Sequence, residues 1–476
     1  MVGCPQLIGL SKAMETNTNV TQKISEYERE PVPETKTKNA KSFWGLFCSE
    51  HVAGTELLIG PLFVIHGVAA FDLLIGLVIG NVLAVLSWRY LTVPIAVKYR
   101  LTLYMQLEKI AGRNLVIIYN LTNGLLWCFI AGAMVSVSAS AVSALFYITP
   151  PDLNAVLPDN IWMVFIVLAV GGVISIIAVR GYNTISKFAN NAAPWMVVMF
   201  IAMGISTLPH LNIHSLSDFW EKAETVIWNG HNQAGFVKFT IWHVIFFSWF
   251  GNMAWHIGMG DLTIFRYAKK SNYGFAPISG MFLGHYVAWL CAGMLYAVQL
   301  QANPTNTTVS PGPMALSAMG ISGILLVLIS GWTTANPIIY RAGLAFQGIN
   351  SNWPRTRLTL FAGGIASVIG IFPALSMKFL SVSALYGLLL MPIGSVIFAD
   401  HYLMKRLGLE SFYAEKNNIK FYLPPALAWI LTLGICLWMN LYYDVQIFFL
   451  GLPGWFIAAT IYLTLSIYFQ RKFKKR

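Results

Sequence analysis

Apolar runs of about twenty residues recur along the whole chain, separated by short polar segments. A helix needs roughly 20 apolar residues to cross a bilayer, and each run is long enough. We therefore predict an all-α, polytopic membrane protein with about 12 transmembrane helices, numbered here as spans 1 to 12. The predicted spans are residues 43–67, 70–95, 115–147, 160–180, 188–208, 236–264, 276–301, 314–347, 357–373, 377–400, 422–441 and 447–470.

Two of these runs carry polar and glycine interruptions. Span 1 contains "SEHVAGTE", and span 6, five spans later, contains "FGNMAWHIGMGD". Broken helices at corresponding positions of two halves are typical of inverted-repeat transporters, whose binding site lies at the breaks. In lipid, unwound backbone N–H and C=O groups need partners, and a bound solute or ion can supply them.

Composition and charge agree with a membrane protein. Hydrophobic residues make up 57% of the 476 residues and charged residues only 11%, whereas soluble domains are about 25% charged. The formal charge of +12 is concentrated in membrane-flanking segments such as "FRYAKK", "NWPRTR" and "RKFKKR". Positive-inside topology explains this excess without a nucleic-acid partner. We predict both termini on the cytoplasmic side of a cell inner or plasma membrane, with the lipid bilayer as the surroundings.

We predict five segments along the chain. Residues 1–41 are polar and lack a signal-peptide core, so they are predicted to be a flexible cytoplasmic segment. Residues 42–208 and 236–400 form the two five-helix repeats, joined by the outer connecting segment 209–235. Residues 401–476 hold the last two helices and a basic cytoplasmic tail.

The segments around these interruptions resemble the nucleobase–cation symporter family, which includes purine–cytosine permeases and hydantoin transporters. The similarity lies in "NGLLWCFIAG" of span 3, "FGNMAWHIGMGDLTIFRYAKK" of span 6 and "SGWTTANPIIYRAGLAF" of span 8. It implies leucine-transporter-type inverted five-helix repeats plus two extra helices. It also implies cation-coupled uptake of a small planar nitrogen heterocycle, such as a nucleobase, by alternating access, with no catalysis and no cofactor besides the coupling ion.

The resemblance implies an ion site between spans 1 and 8. Thr333 and Thr334 fall on the family's paired hydroxyl ligands for sodium, and Ser330 falls on the carbonyl ligand one turn earlier. The matching carbonyls of span 1 belong to Phe47 and Glu50. Sodium is the expected coupling ion, and a proton is the alternative.

The resemblance also implies a substrate site. Trp127 is expected to stack against a planar heterocycle, and His51 is a polar contact from span 1. The full predicted substrate-binding set is Glu50, His51, Gly54, Trp127, Gly251, Asn252, Trp255 and Asn336.

The chain departs from the family pattern at several of these positions. Asn252 replaces an aromatic ring that usually sandwiches the substrate, and Ala131 stands where the hydantoin transporter type has a glutamine. Arg266 is displaced within the family's Asp-x-Ser/Thr-Arg pattern, and Glu50 and Glu56 are not typical of the family. A different small amine or a vitamin-like compound is therefore the alternative substrate.

Glu50 and Glu56 each have a functional and a structural interpretation. An ionisable residue inside a membrane is costly and marks a functional site by default. Glu50 could bind a donor edge of the substrate or carry a proton, or it could form a structural ion pair. Glu56 could do the same or only brace the outer half-helix.

An enzyme is the least favoured interpretation. "GMGD", ending at Asp261, matches the Gly-x-Gly-Asp motif of intramembrane aspartyl proteases, and "YYD", ending at Asp444, could offer a second aspartate. In that family the Tyr-Asp motif precedes Gly-x-Gly-Asp, whereas here it follows. Two catalytic carboxylates must also share one site, and Asp444 falls in a predicted outer connection. We therefore predict that the protein is not an enzyme.

Overall fold

The helical prediction is confirmed in the computed structural model, which describes residues 26–148, 151, 155–350, 352–376 and 379–473. Helices correspond to all twelve predicted spans. They are Lys41–His51 with Glu56–Ile65, Ala70–Tyr99, Arg113–Leu145, Ile161–Val179, Tyr182–Thr207, Ile241–Phe250 with Leu262–Phe265, Ser279–Tyr286 continued by Val287–Ala302, Ile321–Ile349, Arg355–Gly370, Phe379–Tyr402, Leu423–Tyr443 and Ile447–Phe473.

Nine helices among the described residues are long and apolar enough to cross a membrane, and the bent pair of span 1 makes a tenth. The two remaining spans, 6 and 9, have shorter helices. Span 6 is interrupted after Phe250, and the span 9 helix Arg355–Gly370 has 16 residues. Short helices connect the spans at Leu103–Ala111, Leu216–Lys222, Ala223–Ile227, Pro311–Met319, Pro373–Ser376 and Tyr413–Lys416.

Span 8 begins later than the sequence predicts. Residues 314–319, expected inside the span, belong instead to the separate helix Pro311–Met319, and span 8 starts at Ile321. Gly320 between them has φ +59°, a conformation that glycine adopts at little cost and other residues avoid. The glycine therefore ends one helix and turns the chain into the next.

The broken spans lie at the centre of the helix packing. The inner half of span 1 packs against span 5 and the π-helical start of span 7, and its outer half packs against the rest of span 7. Span 6 packs along span 2, and span 8 lies along span 3. Spans 10, 11 and 12 pack together beside this core.

The chain before span 1 contacts the predicted cytoplasmic ends of the helices. The backbone N–H of Val32 donates to the Arg100 carbonyl at 3.0 Å, and that of Lys38 donates to the Tyr267 carbonyl at 2.6 Å. Val32 is buried. The predicted flexible segment 1–41 thus includes a packed stretch from residue 26 onward, and its first 25 residues lie outside the described part.

The close approach of spans 1 and 7 gives a stability test. A Cβ added at Gly60 would collide with the Trp289 carbonyl oxygen and lie 2.6 Å from the Ala292 Cβ. Gly60→Val should therefore destabilise the protein by about 1–3 kcal/mol, the usual cost of overpacking. Gly172, in span 4, has no heavy atom within 4 Å of its added Cβ, so Gly172→Val is the matched control. Thermal unfolding in detergent measures both, and equal shifts would contradict this packing.

Candidate substrate and ion site

Span 1 is broken at the predicted position. Its first helix ends at His51, its second begins at Glu56, and the two axes differ by 53°. The connecting residues 52–55 are buried. A Cβ at Gly54 would lie 3.2 Å from the Ser330 Oγ, so the small residue lets the break lie close to span 8.

Span 6 is broken over a longer stretch. Its helix ends at Phe250, turns occupy residues 251–261, and a single helical turn follows at Leu262–Phe265. Local bonds satisfy part of the freed backbone. The Gly260 N–H donates to the Ala254 carbonyl at 2.9 Å. Such internal partners are what unwound chain requires at membrane depth.

A buried arginine joins the two breaks. Arg341 of span 8 donates to Glu50 Oε1 at 2.9 Å and to Asp261 Oδ1 at 2.8 Å. The second oxygen of Asp261 accepts from Trp88 Nε1 of span 2 at 2.7 Å. The side chains of Arg341, Glu50 and Asp261 are 1%, 6% and 0% exposed. This group, which we call the Arg341 cluster, links spans 1, 2, 6 and 8.

The Arg341 cluster carries more negative than positive charge. One guanidinium serves two carboxylates, so one formal negative charge is left without a cation within it. Removing one member of a buried ion pair is costly, because the remaining charge has lost its partner. This geometry matches the interpretation of Glu50 as a member of a structural ion pair. The Glu50 carboxylate also borders a cavity.

A cavity of about 100 Å³ is lined by residues of both breaks. Thr334 and Arg341 of span 8 also line it. The predicted substrate-binding residues that border the cavity are Glu50, His51, Gly251, Asn252 and Trp255.

Three predicted substrate residues are not among the cavity-lining residues: Gly54, Trp127 and Asn336. Trp127 is 1% exposed and packs against Trp255 and Tyr386, with ring centroids 5.5 Å and 4.6 Å away. The ring that faces the cavity is therefore that of the half-buried Trp255, and Trp127 lies behind it. Asn336 is buried, and neither of its side-chain amide atoms has a hydrogen-bond partner in the described part of the chain.

A chain of polar and aromatic side chains forms another wall of the cavity. The ring centroids of His51 and His285 are 4.7 Å apart, and His285 stacks on Trp289 at 4.2 Å. Trp289 Nε1 in turn donates a hydrogen bond to the Glu56 carboxylate. Glu56 and His51 stand on the two sides of the span 1 break, so span 7 bridges it.

Oxygen atoms of spans 8 and 1 converge beside the cavity. The hydroxyl groups of Thr333 and Thr334 each lie 2.9 Å from the Ser330 carbonyl oxygen. The Thr333 hydroxyl is also 3.2 Å from the Ser49 carbonyl, and that of Thr334 is 3.4 Å from the Glu50 carbonyl. This arrangement brings together four of the five predicted ion-site residues.

Phe47, the fifth predicted ion-site residue, faces elsewhere. Its carbonyl oxygen accepts a hydrogen bond from His51 Nδ1 at 2.8 Å. It also lies against Gly280 of span 7. Ser49 supplies the span 1 carbonyl that lies beside Thr333.

The predicted site set omits Arg341, His285 and Trp289. The sequence does carry a signal for Arg341, because an arginine in a long apolar helix marks a site by default. His285 and Trp289 lie in an unbroken apolar run. The π-helical turn Ser279–Tyr286 places His285 beside the break, and such turns occur frequently at functional sites.

No protein-family model matches the sequence, and no curated protein matches it. Similarity appears in solved structures. Mhp1, a nucleobase-cation-symport-1 family transporter, in a closed conformation with bromovinylhydantoin bound, has a TM-score of 0.70 at 12% identity, over 94% of this chain and 96% of that one. Inward-facing Mhp1 has a TM-score of 0.65 at 14% identity, over 95% and 94%. A Na⁺-coupled sialic acid symporter has 0.66 at 14% identity, over 94% and 93%.

The fold is therefore the leucine-transporter type, as the sequence predicts, in a multi-pass membrane protein. The neighbours compared above are transport proteins rather than enzymes, in agreement with the prediction that this protein is not an enzyme. The protease alternative also lacks its geometry. Asp261 is buried in the Arg341 cluster, whereas Asp444 is exposed after the end of span 11.

The Arg341 cluster predicts a pattern of stability changes. Arg341→Gln should destabilise the protein by about 3–5 kcal/mol, because two buried carboxylates lose their cation. The triple variant Glu50→Gln, Asp261→Asn, Arg341→Gln carries no charge there and should recover most of the loss. Thermal unfolding midpoints in detergent measure both variants. A triple variant as unstable as the single one would show that uncompensated charge is not the cause.

Proposed function

We propose that this protein is a symporter that couples sodium entry to the uptake of a small planar nitrogen heterocycle by alternating access. A proton is the alternative coupling ion. The observation that carries the proposal is the position of Glu50. Its carbonyl oxygen lies 3.4 Å from the Thr334 hydroxyl, while its carboxylate lines the cavity and pairs with Arg341. One residue thus adjoins both the ion site and the solute site.

The ligand chemistry at spans 1 and 8 supports sodium. Hydroxyl and carbonyl oxygens of Thr333, Thr334, Ser330 and Glu50 lie together at the end of a half-helix. Unwound carbonyls and half-helix C-termini are the groups that coordinate sodium in transporters with broken helices. A sodium ion there would replace the hydrogen bonds that the two hydroxyl groups now donate to Ser330.

The cavity size supports a solute of about one ring. A buried water molecule needs a cavity of at least about 10–15 Å³. By the same measure, the cavity of about 100 Å³ has room for roughly seven to ten non-hydrogen atoms. A pyrimidine or an imidazole derivative is in this range.

The cavity walls support a planar, hydrogen-bonding solute. Trp255 offers an aromatic face, and base–aromatic stacking is worth about 1–3 kcal/mol per base. Asn252 offers an amide whose Nδ2 has, among the described residues, only the Met281 sulfur, at 3.7 Å, as its partner. An amide both donates and accepts hydrogen bonds, as does the edge of a nitrogen heterocycle.

We retain a small amine or vitamin-like compound as the alternative solute. Glu50 and Glu56 border the cavity, and Asn252 stands where the related family has an aromatic ring. We place the protein in a cell inner or plasma membrane with both termini cytoplasmic, as its charge distribution predicts.

Purified protein screened by thermal shift tests the proposal. Pyrimidines, purines, hydantoins, vitamin-like heterocycles and amines are each added with sodium or with an equal concentration of potassium. We expect at least one planar nitrogen heterocycle to stabilise the protein, and more strongly in sodium. Radiolabelled uptake of that compound into proteoliposomes should then require a sodium gradient.

Variants of Thr334 give this screen a matched control. Thr334→Val removes the hydroxyl group but keeps the branched shape, and it should abolish the sodium effect. Thr334→Ser keeps the hydroxyl group and should retain most of it. An unchanged sodium response in Thr334→Val would remove the ion site assigned here. If none of the screened nitrogen heterocycles stabilises the protein, the proposed substrate class is wrong.

Substitutions of Trp255 and Trp127 should have different effects on ligand affinity and on thermal stability. Trp255→Leu should weaken binding of the stabilising heterocycle by about 5- to 150-fold, the equivalent of losing about 1–3 kcal/mol of stacking. Trp127→Leu should leave affinity nearly unchanged and lower the unfolding temperature, because Trp127 is buried behind Trp255. Isothermal calorimetry and thermal unfolding measure the two effects. The reverse outcome would return the stacking role to Trp127.

A further inference from the structure

Glu56 is a buried carboxylate at the edge of the cavity. It is 2% exposed, lines the cavity and begins the outer half-helix of span 1. Trp289 Nε1 donates to it, and the backbone N–H of Ala53 faces it across the break. Both donors are neutral. They orient the carboxylate without balancing its charge.

No cation among the described residues pairs with Glu56. The buried ion pairs of the membrane core are those that Arg341 forms with Glu50 and Asp261. The start of a helix favours a carboxylate by about 0.3–1 kcal/mol, which is far less than the cost of burying an unpaired charge. This carboxylate therefore needs either a bound proton or a positive partner, and no described residue supplies that partner.

The formal charges around the cavity also indicate that a positive charge is missing there. Among the described residues around the cavity, with the histidines counted as neutral, Glu50, Glu56 and Asp261 are opposed by Arg341 alone. When all three carboxylates are ionised, the single guanidinium leaves an excess of two negative charges. A sodium ion beside Thr334 supplies one positive charge, and a monocationic solute would supply the second. The loaded site would then be neutral, which is the condition that favours burial away from water.

The walls near Glu56 suit a planar cation rather than a compact ammonium group. Trp289, with His285 stacked on it, and Phe247 line the cavity beside this carboxylate. Ring centroids of Phe247 and Trp289 are 5.8 Å apart. Aromatic faces attract cations and also stack on flat rings, so a delocalised ring cation satisfies both.

We propose that the solute is a planar aromatic monocation whose protonated, nitrogen-bearing edge pairs with the carboxylate of Glu56. Ring-conjugated amidinium groups, such as protonated aminopyridines or aminopyrimidines, have this chemistry. The inference rests on the proposed function, because it assigns the substrate class of the same cavity.

A pair of probes that differ mainly in charge tests the inference. 4-Aminopyridine is a cation at neutral pH, and 4-pyridone has nearly the same shape but is neutral. Wild-type protein in sodium should bind 4-aminopyridine at least about tenfold more tightly, the difference between charged and neutral hydrogen bonds. Glu56→Gln keeps the shape and should bind the two probes about equally. Glu56→Asp should retain the preference for the cation.

Glu224→Gln is the control for net charge, because it removes one carboxylate from the exposed outer segment; it should behave as wild type. Calorimetric titration of the purified proteins measures all the affinities. A wild type without preference for the cation, or a Glu56→Gln variant that keeps the preference, would overturn the inference. If Glu56→Gln does not fold, the wild-type preference and that of Glu56→Asp decide the matter.

The two proposals fail in different ways. If wild-type protein binds 4-pyridone or another neutral heterocycle as tightly as 4-aminopyridine, or Glu56→Gln keeps the preference for the cation, the role of Glu56 is wrong and the proposed function stands. If neither probe nor any planar heterocycle binds, the proposed function fails, and the inference fails with it.

Discussion

Arg341 holds two carboxylates that come from different broken helices. Glu50 lies in the last turn of the inner half of span 1, and Asp261 is the last residue of the break of span 6. Both breaks remove backbone hydrogen bonds at membrane depth, where lost bonds are expensive. The ion pairs fix the two unwound segments to span 8, and Trp88 adds span 2. The cavity and the oxygen cluster depend on this attachment, because their lining residues flank the same breaks.

Glu50 occupies two environments at once. Its side chain belongs to the Arg341 cluster and borders the cavity, and its carbonyl oxygen belongs to the cluster around Thr334. A shift of this residue would alter both sites together, which is the physical requirement for coupling. Coupling free energy is reciprocal, so an ion that strengthens solute binding is itself bound more tightly when the solute is present.

The sequence predicts the number and type of helices well, because long apolar runs and glycine-rich interruptions are local signals. The paired breaks and the Ser330–Thr334 cluster lie within such segments. Gly320 shows the limit, since one left-handed glycine moves the start of span 8 beyond its predicted position. Trp127 and Trp255 show a second limit, because both lie near the expected site in the sequence. Only the packing of span 3 against Tyr386 shows that the Trp127 ring is buried and that the Trp255 ring faces the cavity.

Arg341 could be recognised as an intramembrane charge, but its two partners are 291 and 80 residues away in the chain, and no sequence spacing identifies them. Those partners change how Glu56 is interpreted. Once Glu50 and Asp261 share the only buried guanidinium that borders the cavity, Glu56 has none left within the described chain. An excess of negative charge raises the free energy of the empty site and lowers that of any state in which cations fill it. Under the proposed function, ion and solute would then assist each other's binding through charge as well as through the position of Glu50.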